Sequence, residues 1–280
     1  MTSGGLTGNI YRPLTADQVK TIHERALDLL EEGGMTYEEG LEDVLAVLKD
    51  AGCRIDAGRN RIYFPRGLVN EMIAKAPGEF VLYSRNGEND LALGKNRVYA
   101  GTGGSAINIL DLDTGKARRT ALRDSHNVAR IVDKMQHIHF FQSPCVPHDL
   151  PIEHYDVNII FSAMKATQKH VMLGFNFDAS FRETYAMVSR VVGGEDLLRH
   201  KPIISNSACI IISPIKFFTQ STRNVLISGE LGIPTTVTSA PMSGSTSPMT
   251  MAGTLLQTHA EELAAITLLQ VHHPGAKVLY

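Results

Sequence analysis

The chain contains no tryptophan, only 6% aromatic residues and three cysteines in 280 residues. Without Trp, any aromatic cage around a cation has to be built from Phe and Tyr. Cys53, Cys145 and Cys209 are far apart and too few for a disulfide framework. There is no block of basic residues: 27 Lys and Arg stand against 29 Asp and Glu, scattered, for a formal net charge of −2. Such a surface does not suit a nucleic-acid partner. No apolar run approaches the ~18 residues of a membrane span, and the opening MTSGGLTGNIYRPLT lacks the apolar core of a signal peptide. At 43% hydrophobic the chain can bury a sizeable core, and a cytoplasmic enzyme is the class expected.

Residues 1–12 are expected to form a loose tail. Residues 15–32 are expected to be a helix that Thr15 caps, with Val19, Ile22, Ala26, Leu29 and Leu30 as its apolar stripe and Gly33-Gly34 as its stop. A second helix is expected at about 38–50. Short strands at 61–64 and 80–84 flank a helix at 66–75, and 98–112 is β-rich around Gly101-Thr-Gly-Gly104. That glycine turn lacks the full dinucleotide fingerprint and is expected to bring backbone close to a ligand.

From about residue 138 the pattern becomes regular. Apolar runs begin near Ile138, His170, Pro202, Pro234 and Ala276, at intervals of 32, 32, 32 and 42 residues. Helical stretches follow the first four, at about 155–167, 180–192, 215–231 and 248–271. Such alternation means a parallel sheet with right-handed crossovers. A (β/α)₈ TIM-type barrel spends about 30 residues per unit, so the spacing fits one, and an open parallel sheet fits it too.

The segment from Ser239 to Ala265 carries the most chemistry. A loop of Gly, Ser and Thr joins a β-branched run to a long helical stretch. Ser247-Pro248 has the form of an N-cap followed by proline at the first helical position. The free N–H groups and the dipole at such a helix start make an anion site, for which Ser243, Gly244, Ser245, Thr246 and Ser247 are the candidates. Thr254, Gln257 and Glu261 follow at three- and four-residue spacing and share one helix face. A carboxylate beside an anion site suits a ligand that bears both charges. Glu262 is expected to lie on the helix surface.

This segment also resembles a known family. Gly244-Ser-Thr-Ser-Pro248, the Ala-Gly-Thr and Ala-Glu-Glu-Leu-Ala elements after it, and His273-Pro-Gly-Ala-Lys-Val-Leu-Tyr280 are similar to the trimethylamine:corrinoid methyltransferases, which include glycine betaine demethylating relatives. The helix that opens at Pro13 and the Gly101–Gly104 element resemble the same family, so the likeness runs through nearly all of the chain. It implies an α/β fold: a TIM-type (β/α)₈ barrel, incomplete in this chain, whose first part covers 111–280 after a helical and β extension over 1–110. Four whole units and a fifth strand are seen, and the chain is expected to be truncated relative to the family. The resemblance implies transfer of a methyl group from a methylated, betaine-like amine to the cobalt of a corrinoid (cobalamin) that a separate corrinoid protein presents, with no cofactor held tightly by this chain and a homo-oligomeric assembly.

In barrels the reactive face lies at the carboxyl ends of the strands, which adds Gln142, Phe175 and Asn176 to Gln257 and His259 as candidate substrate contacts. Glu261 is the expected catalytic group, its carboxylate beside the cationic nitrogen. Phe140, Phe141, Phe177 and Tyr155 are further candidate cage faces. Cys145-x-x-His148, with His154 and Cys209, has ligand types that suit zinc but not the paired spacing of a structural site, and no metal is expected. A quaternary nitrogen leaves as a neutral amine, which favours betaine over trimethylamine; the family's pyrrolysine position lies beyond Tyr280. Two other classes fit the loop: a non-catalytic betaine-binding protein and a phosphate-handling barrel enzyme. Against the latter, no Lys or Arg lies between Gly232 and Lys277.

Overall fold

The structure, a computed structural model, describes residues 5–280. Of the tail expected over 1–12, residues 1–4 fall outside the described residues, while Leu6–Thr7 is a strand paired antiparallel to Arg97–Val98. Two compact units share the chain: one takes in Gly78–Asn206 and the described residues before Ile10, the other Ile10–Pro77 and Ser207–Tyr280. The fold is mixed α/β and includes a parallel sheet.

In the first unit, Phe140–Gln142, His170–Leu173 and the beginning of Ile204–Cys209 lie side by side and parallel, with Phe141 opposite Val171 and Val171 opposite Ile204. Every residue of His170–Leu173 is buried, as in a strand covered on both faces. The helices Tyr155–Ala166 and Asp178–Val192 follow the first two strands. Gly193, at φ +97°, ends the second of them in the left-handed conformation. Two helices, Leu122–Lys134 and Glu195–His200, had no counterpart in the sequence pattern.

Gly101-Thr-Gly-Gly104 does bring backbone close, but to the sheet. Gly101 bridges to Phe140, and a Cβ on it would fall 2.2 Å from the Phe140 ring. Thr102 locks the approach: its hydroxyl donates to the Gln142 carbonyl at 2.7 Å and accepts the Gln142 N–H at 3.1 Å.

The second unit is built around the helix Met251–His272. From Leu263 to Gln270 every residue is buried, so this helix is enclosed on all sides and not amphipathic. Ala16–Asp28, Arg66–Lys75 and Thr219–Leu231 pack against it. Their shared core holds Ala26, Leu27, Leu30, Val44, Leu48, Phe64, Val69, Phe217, Val225, Ala264 and Leu268. The first helix starts as expected: Thr15 accepts the Gln18 N–H while Gln18 Oε1 accepts the Thr15 N–H, a capping box. In the same unit Thr235–Thr238 runs parallel to Val278–Leu279.

The helix expected from residue 215 starts at Thr219 instead. Its place is taken by a hairpin, Ile211–Ile212 with Lys216–Phe217, which pairs onto Met35–Tyr37. Ile215 sits at φ +47° in this turn, a conformation no helix can continue and one that is costly for a β-branched residue.

Lys169 shows how the first unit is tied together. Its buried ammonium donates to the carbonyls of Val132 at 2.7 Å, Met135 at 2.5 Å and Ile138 at 2.6 Å, satisfying the end of the helix Leu122–Lys134. Burial pushes its pKa below the ordinary lysine value. Lys169→Met keeps the packing of the stem but strands these acceptors. A loss of about 1–3 kcal/mol is expected in urea unfolding, and an unchanged midpoint would show that the carbonyls find other donors.

Candidate functional site

Glu261 is completely buried. Its Oε1 accepts the Ile215 N–H at 2.8 Å and Gln257 Nε2 at 2.9 Å. Its Oε2 accepts the Ser213 hydroxyl at 3.0 Å and also the Ser239 hydroxyl. Ser239 directly follows the strand Thr235–Thr238, and Ser213 and Ile215 belong to the hairpin turn. One carboxylate on the long helix therefore gathers two strand-end segments. Four donors take up its acceptor capacity, so the group is committed to holding this end of the unit together.

Thr254, Gln257 and Glu261 share a face, as their spacing requires. The Gln257 amide donates to the Thr246 carbonyl at 2.8 Å as well as to Glu261, linking the carboxylate to the loop. The loop itself is closed. The N–H groups of Ser245, Thr246 and Ser247 all point at the Met242 carbonyl, at 3.0, 3.0 and 3.1 Å, and Gly244 N–H goes to the Ser247 carbonyl. The hydroxyls of Ser243 and Ser247 meet Thr254 Oγ1 at 2.8 and 3.0 Å. The helix starts not at Pro248 but at Met251, with Thr250 as its cap. Serine–proline signalled the turn; the threonine two residues further on won the cap because its oxygen reaches the Gly253 N–H, at 3.2 Å.

Glu262 is not the surface residue that its neighbour's role implied. It is partly buried. Burial first, and then the Glu261 charge, push its carboxyl up from 4.5 to about 7, although the Ser239 backbone N–H partly offsets them. Tyr280, which directly follows the strand Val278–Leu279, feels the Glu262 charge, and burial with that charge raises its phenol. The Tyr280 hydroxyl lies 2.6 Å from His259 Nδ1, and His259 Nε2 lies 2.9 Å from His23 Nδ1. Desolvation and the His23 ring hold His259 below the usual histidine range. A tautomer with the Tyr280 hydroxyl donating to Nδ1 and Nε2–H donating to His23 satisfies the whole row.

Gln142, Phe175 and Asn176 belong to the first unit. Asn176 is held by the buried Asp156, which accepts its N–H at 2.9 Å and its side-chain amide at 2.6 Å, together with the Ser180 hydroxyl. Phe175 is buried and stacks on Phe181, with centroids 3.8 Å apart and planes 5° from parallel. Gln142 is pinned through its backbone to Thr102. Sequence reasoning missed Ser213, Ser239, Glu262 and Tyr280. The position of Ser239 and Tyr280 one residue past the strands was the available signal.

Two variants separate the paired glutamates. Glu261→Gln keeps the shape and loses the charge that strengthens four hydrogen bonds, and a stability loss of about 1–3 kcal/mol is expected in urea unfolding. For Glu262 the folded pKa lies above the unfolded one. The native state holds its proton more tightly, so its contribution is complete below about pH 4.5 and is lost as pH rises through about 7. The stability of the parent minus that of Glu262→Gln should therefore fall across this window. A flat difference would show that Glu262 titrates like an exposed glutamate.

Comparison with known proteins follows the same segments. Residues 6–280 match the family described as trimethylamine methyltransferase (MTTB). A trimethylamine methyltransferase MttB of Desulfitobacterium hafniense is 33% identical over 267 residues, which is 94% of this chain and 53% of the relative. A glycine betaine methyltransferase of the same species is 31% identical, over 96% of this chain and 55% of the relative. Trimethylamine methyltransferase MttB1 of Methanosarcina mazei is 29% identical over 98% and 56% respectively. The chain thus spans about half the length of the curated relatives it matches. With the family match covering nearly every described residue, the chain belongs to the trimethylamine methyltransferase family.

Proposed function

We propose that the protein to which this chain belongs takes a methyl group from a methylated amine, with a quaternary, betaine-like ammonium as its substrate and trimethylamine as the alternative. The observation that carries this beyond family membership is the acidic pair Glu261–Glu262, set where the parallel strands Thr235–Thr238 and Val278–Leu279 end. In α/β folds ligands gather at that end of the sheet, and a cation held away from water needs a compensating charge. We also propose that the parallel strands belong to a (β/α)₈ barrel, with residues 1–110 as its extension.

The acceptor in this reading is the cobalt of a corrinoid on a partner protein, which when bound supplies the nucleophile. Met242, Met249 and Met251 are exposed around the loop and offer an apolar rim that suits a flat macrocycle. The chain's own residues position the amine and exclude water. Glu261 acts through others: it holds Ser213, Ile215 and Ser239 in place. Gln257 ties the 243–247 loop to it, and His259 lines the same end of the unit. The carbon–nitrogen bond breaks with its electron pair staying on nitrogen, so a quaternary amine needs no proton to leave.

A ligand carboxylate would have to displace the loop's internal hydrogen bonds to reach its N–H groups, and gain and loss then nearly cancel. Calorimetry on a protein of the relatives' length that carries this chain should give glycine betaine and tetramethylammonium affinities within about tenfold, or 1.4 kcal/mol. A hundredfold preference for betaine would mean that the loop opens to bind the carboxylate. Methyl transfer is read from the absorbance of the corrinoid protein. Absence of both binding and transfer with quaternary and tertiary methylamines would overturn the assignment.

A further inference from the structure

The first unit holds a cavity of about 420 Å³ at the amino ends of two of its parallel strands. The segment from Tyr83 to Arg85 crosses those strand starts. The Tyr83 N–H donates to the Pro202 carbonyl at 3.3 Å, just before the strand Ile204–Cys209, and the Arg85 N–H to the Gln168 carbonyl at 2.9 Å, just before His170–Leu173. The volume falls within the ~300–1,000 Å³ of small-molecule sites. Part of the lining is apolar. Val191 and Val192 come from the end of the helix Asp178–Val192, Leu197 from the helix Glu195–His200, and Ile203 from the run into the next strand. The polar part brings two cations, Arg85 and Lys201.

Neither cation is spent on a protein carboxylate: among the described residues, Arg85 and Lys201 take part in no ion pair. Arg85 Nε donates to the neutral Gln168 Oε1 at 2.9 Å, which steadies the guanidinium and leaves its two terminal nitrogens as donors. Lys201 stands at an exposed position just past the helix Glu195–His200. The one carboxylate in the lining, Asp90, is engaged with its own turn. Its Oδ1 accepts the Ser84 N–H at 2.7 Å and the Ser84 hydroxyl at 2.9 Å. Two positive charges therefore stand against one negative charge, beside four branched aliphatic side chains. A fully ionised phosphate would meet the charges but set its oxygens against the apolar wall, where they lose water without gaining donors.

We propose that this cavity binds a small amphipathic carboxylate, its anionic head at Arg85 and Lys201 and its aliphatic body against Val191, Val192, Leu197 and Ile203. The planar guanidinium offers paired N–H groups to the two carboxylate oxygens, and the ammonium adds a point charge. The aliphatic body gains by leaving water, roughly fourfold in affinity for each methylene buried. In such folds a substrate gathers at the carboxyl ends of the strands, and this cavity lies at their amino ends. The proposal therefore stands independently of the methylated-amine assignment.

The test uses a protein of the relatives' length that carries this chain, titrated by ligand-detected NMR with butanoate, pentanoate and hexanoate. Hexylammonium and inorganic phosphate are the controls, and tetramethylammonium is present in excess to occupy any site for methylated amines. Affinity is expected to rise roughly fourfold per methylene along the series, with hexanoate tighter than either control. Lys201→Met and Arg85→Met should each weaken hexanoate by about tenfold or more, and Leu197→Ser should lower the gain per methylene. Lys201→Met keeps its aliphatic stem at an exposed position. Arg85→Met also loses the bond to Gln168, so thermal melts check that it stays folded. Phosphate as tight as hexanoate, hexylammonium as tight as hexanoate, or an affinity indifferent to chain length would each overturn the amphipathic carboxylate. Hexanoate binding that is unchanged in Lys201→Met and in folded Arg85→Met would place the ligand elsewhere and overturn the site, as would the absence of any binding.

Discussion

The carboxylate of Glu261 is the constraint from which the rest of the second unit's strand-end architecture follows. An ionised group without contact with water is tolerated only when its charge is met by donors. Here the donors come from three parts of the chain: the turn at Ser213 and Ile215, the strand end at Ser239, and Gln257 one helical turn back. Each is fixed by being needed. Ile215 illustrates the strength of the demand, since its N–H reaches Glu261 from a backbone conformation that costs of order 1–3 kcal/mol for such a residue. A charge-assisted hydrogen bond is of the same size, enough to hold the turn where the hairpin and not a helix begins.

Satisfying one glutamate leaves the next one short. Ser239 gives its hydroxyl to Glu261 and only its backbone N–H to Glu262. The charge that Glu261 concentrates then opposes ionisation of its neighbour, so the two carboxyls, alike in chemistry, are driven to different roles. The loop adds to the same economy of donors. With its N–H groups turned onto the Met242 carbonyl, the 243–247 segment is a rigid border fastened by Gln257 and Thr254, and it spends its polar groups on itself.

Much of this was legible beforehand, and the exceptions are physical. The parallel strands at 140, 170, 204, 235 and 278 begin within two residues of the runs read from sequence, although they carry buried polar residues such as His170, Ser205, Asn206 and Thr235. Thr15 and Gln18 announced the first helix through their capping chemistry, and Arg66–Lys75 was found as expected. The helix Leu122–Lys134 was hidden by its charge: Arg, Asp and His positions outnumber its buried Ala129 and Val132. The hairpin at 211–217 was hidden because Ile and Phe suit strand or helix alike, and what decides is a hydrogen bond from Ile215 to a residue 46 positions away. The Thr254–Gln257–Glu261 face was readable from helical spacing. The burial of Glu261 and the exposure of part of Glu262 were not, because periodicity says which residues share a face and not what that face meets.

Which glutamate is sealed and which is left open is decided by the packing of the residues that follow them on the same helix. Leu263, Ala264, Leu268 and Leu269 are buried in the core with Ala26, Leu27, Phe64 and Val69, and a helix enclosed on every side cannot turn about its axis without overlapping its neighbours. A rotation of about 100° would exchange the two carboxyls, but it would also carry small residues such as Ala264 and Ala265 away from the close contacts they permit. The apolar packing therefore sets the electrostatics several residues away. It presents Glu261 to the Ser213, Ile215 and Ser239 donors, and it leaves Glu262 partly buried, with the Ser239 backbone N–H beside it.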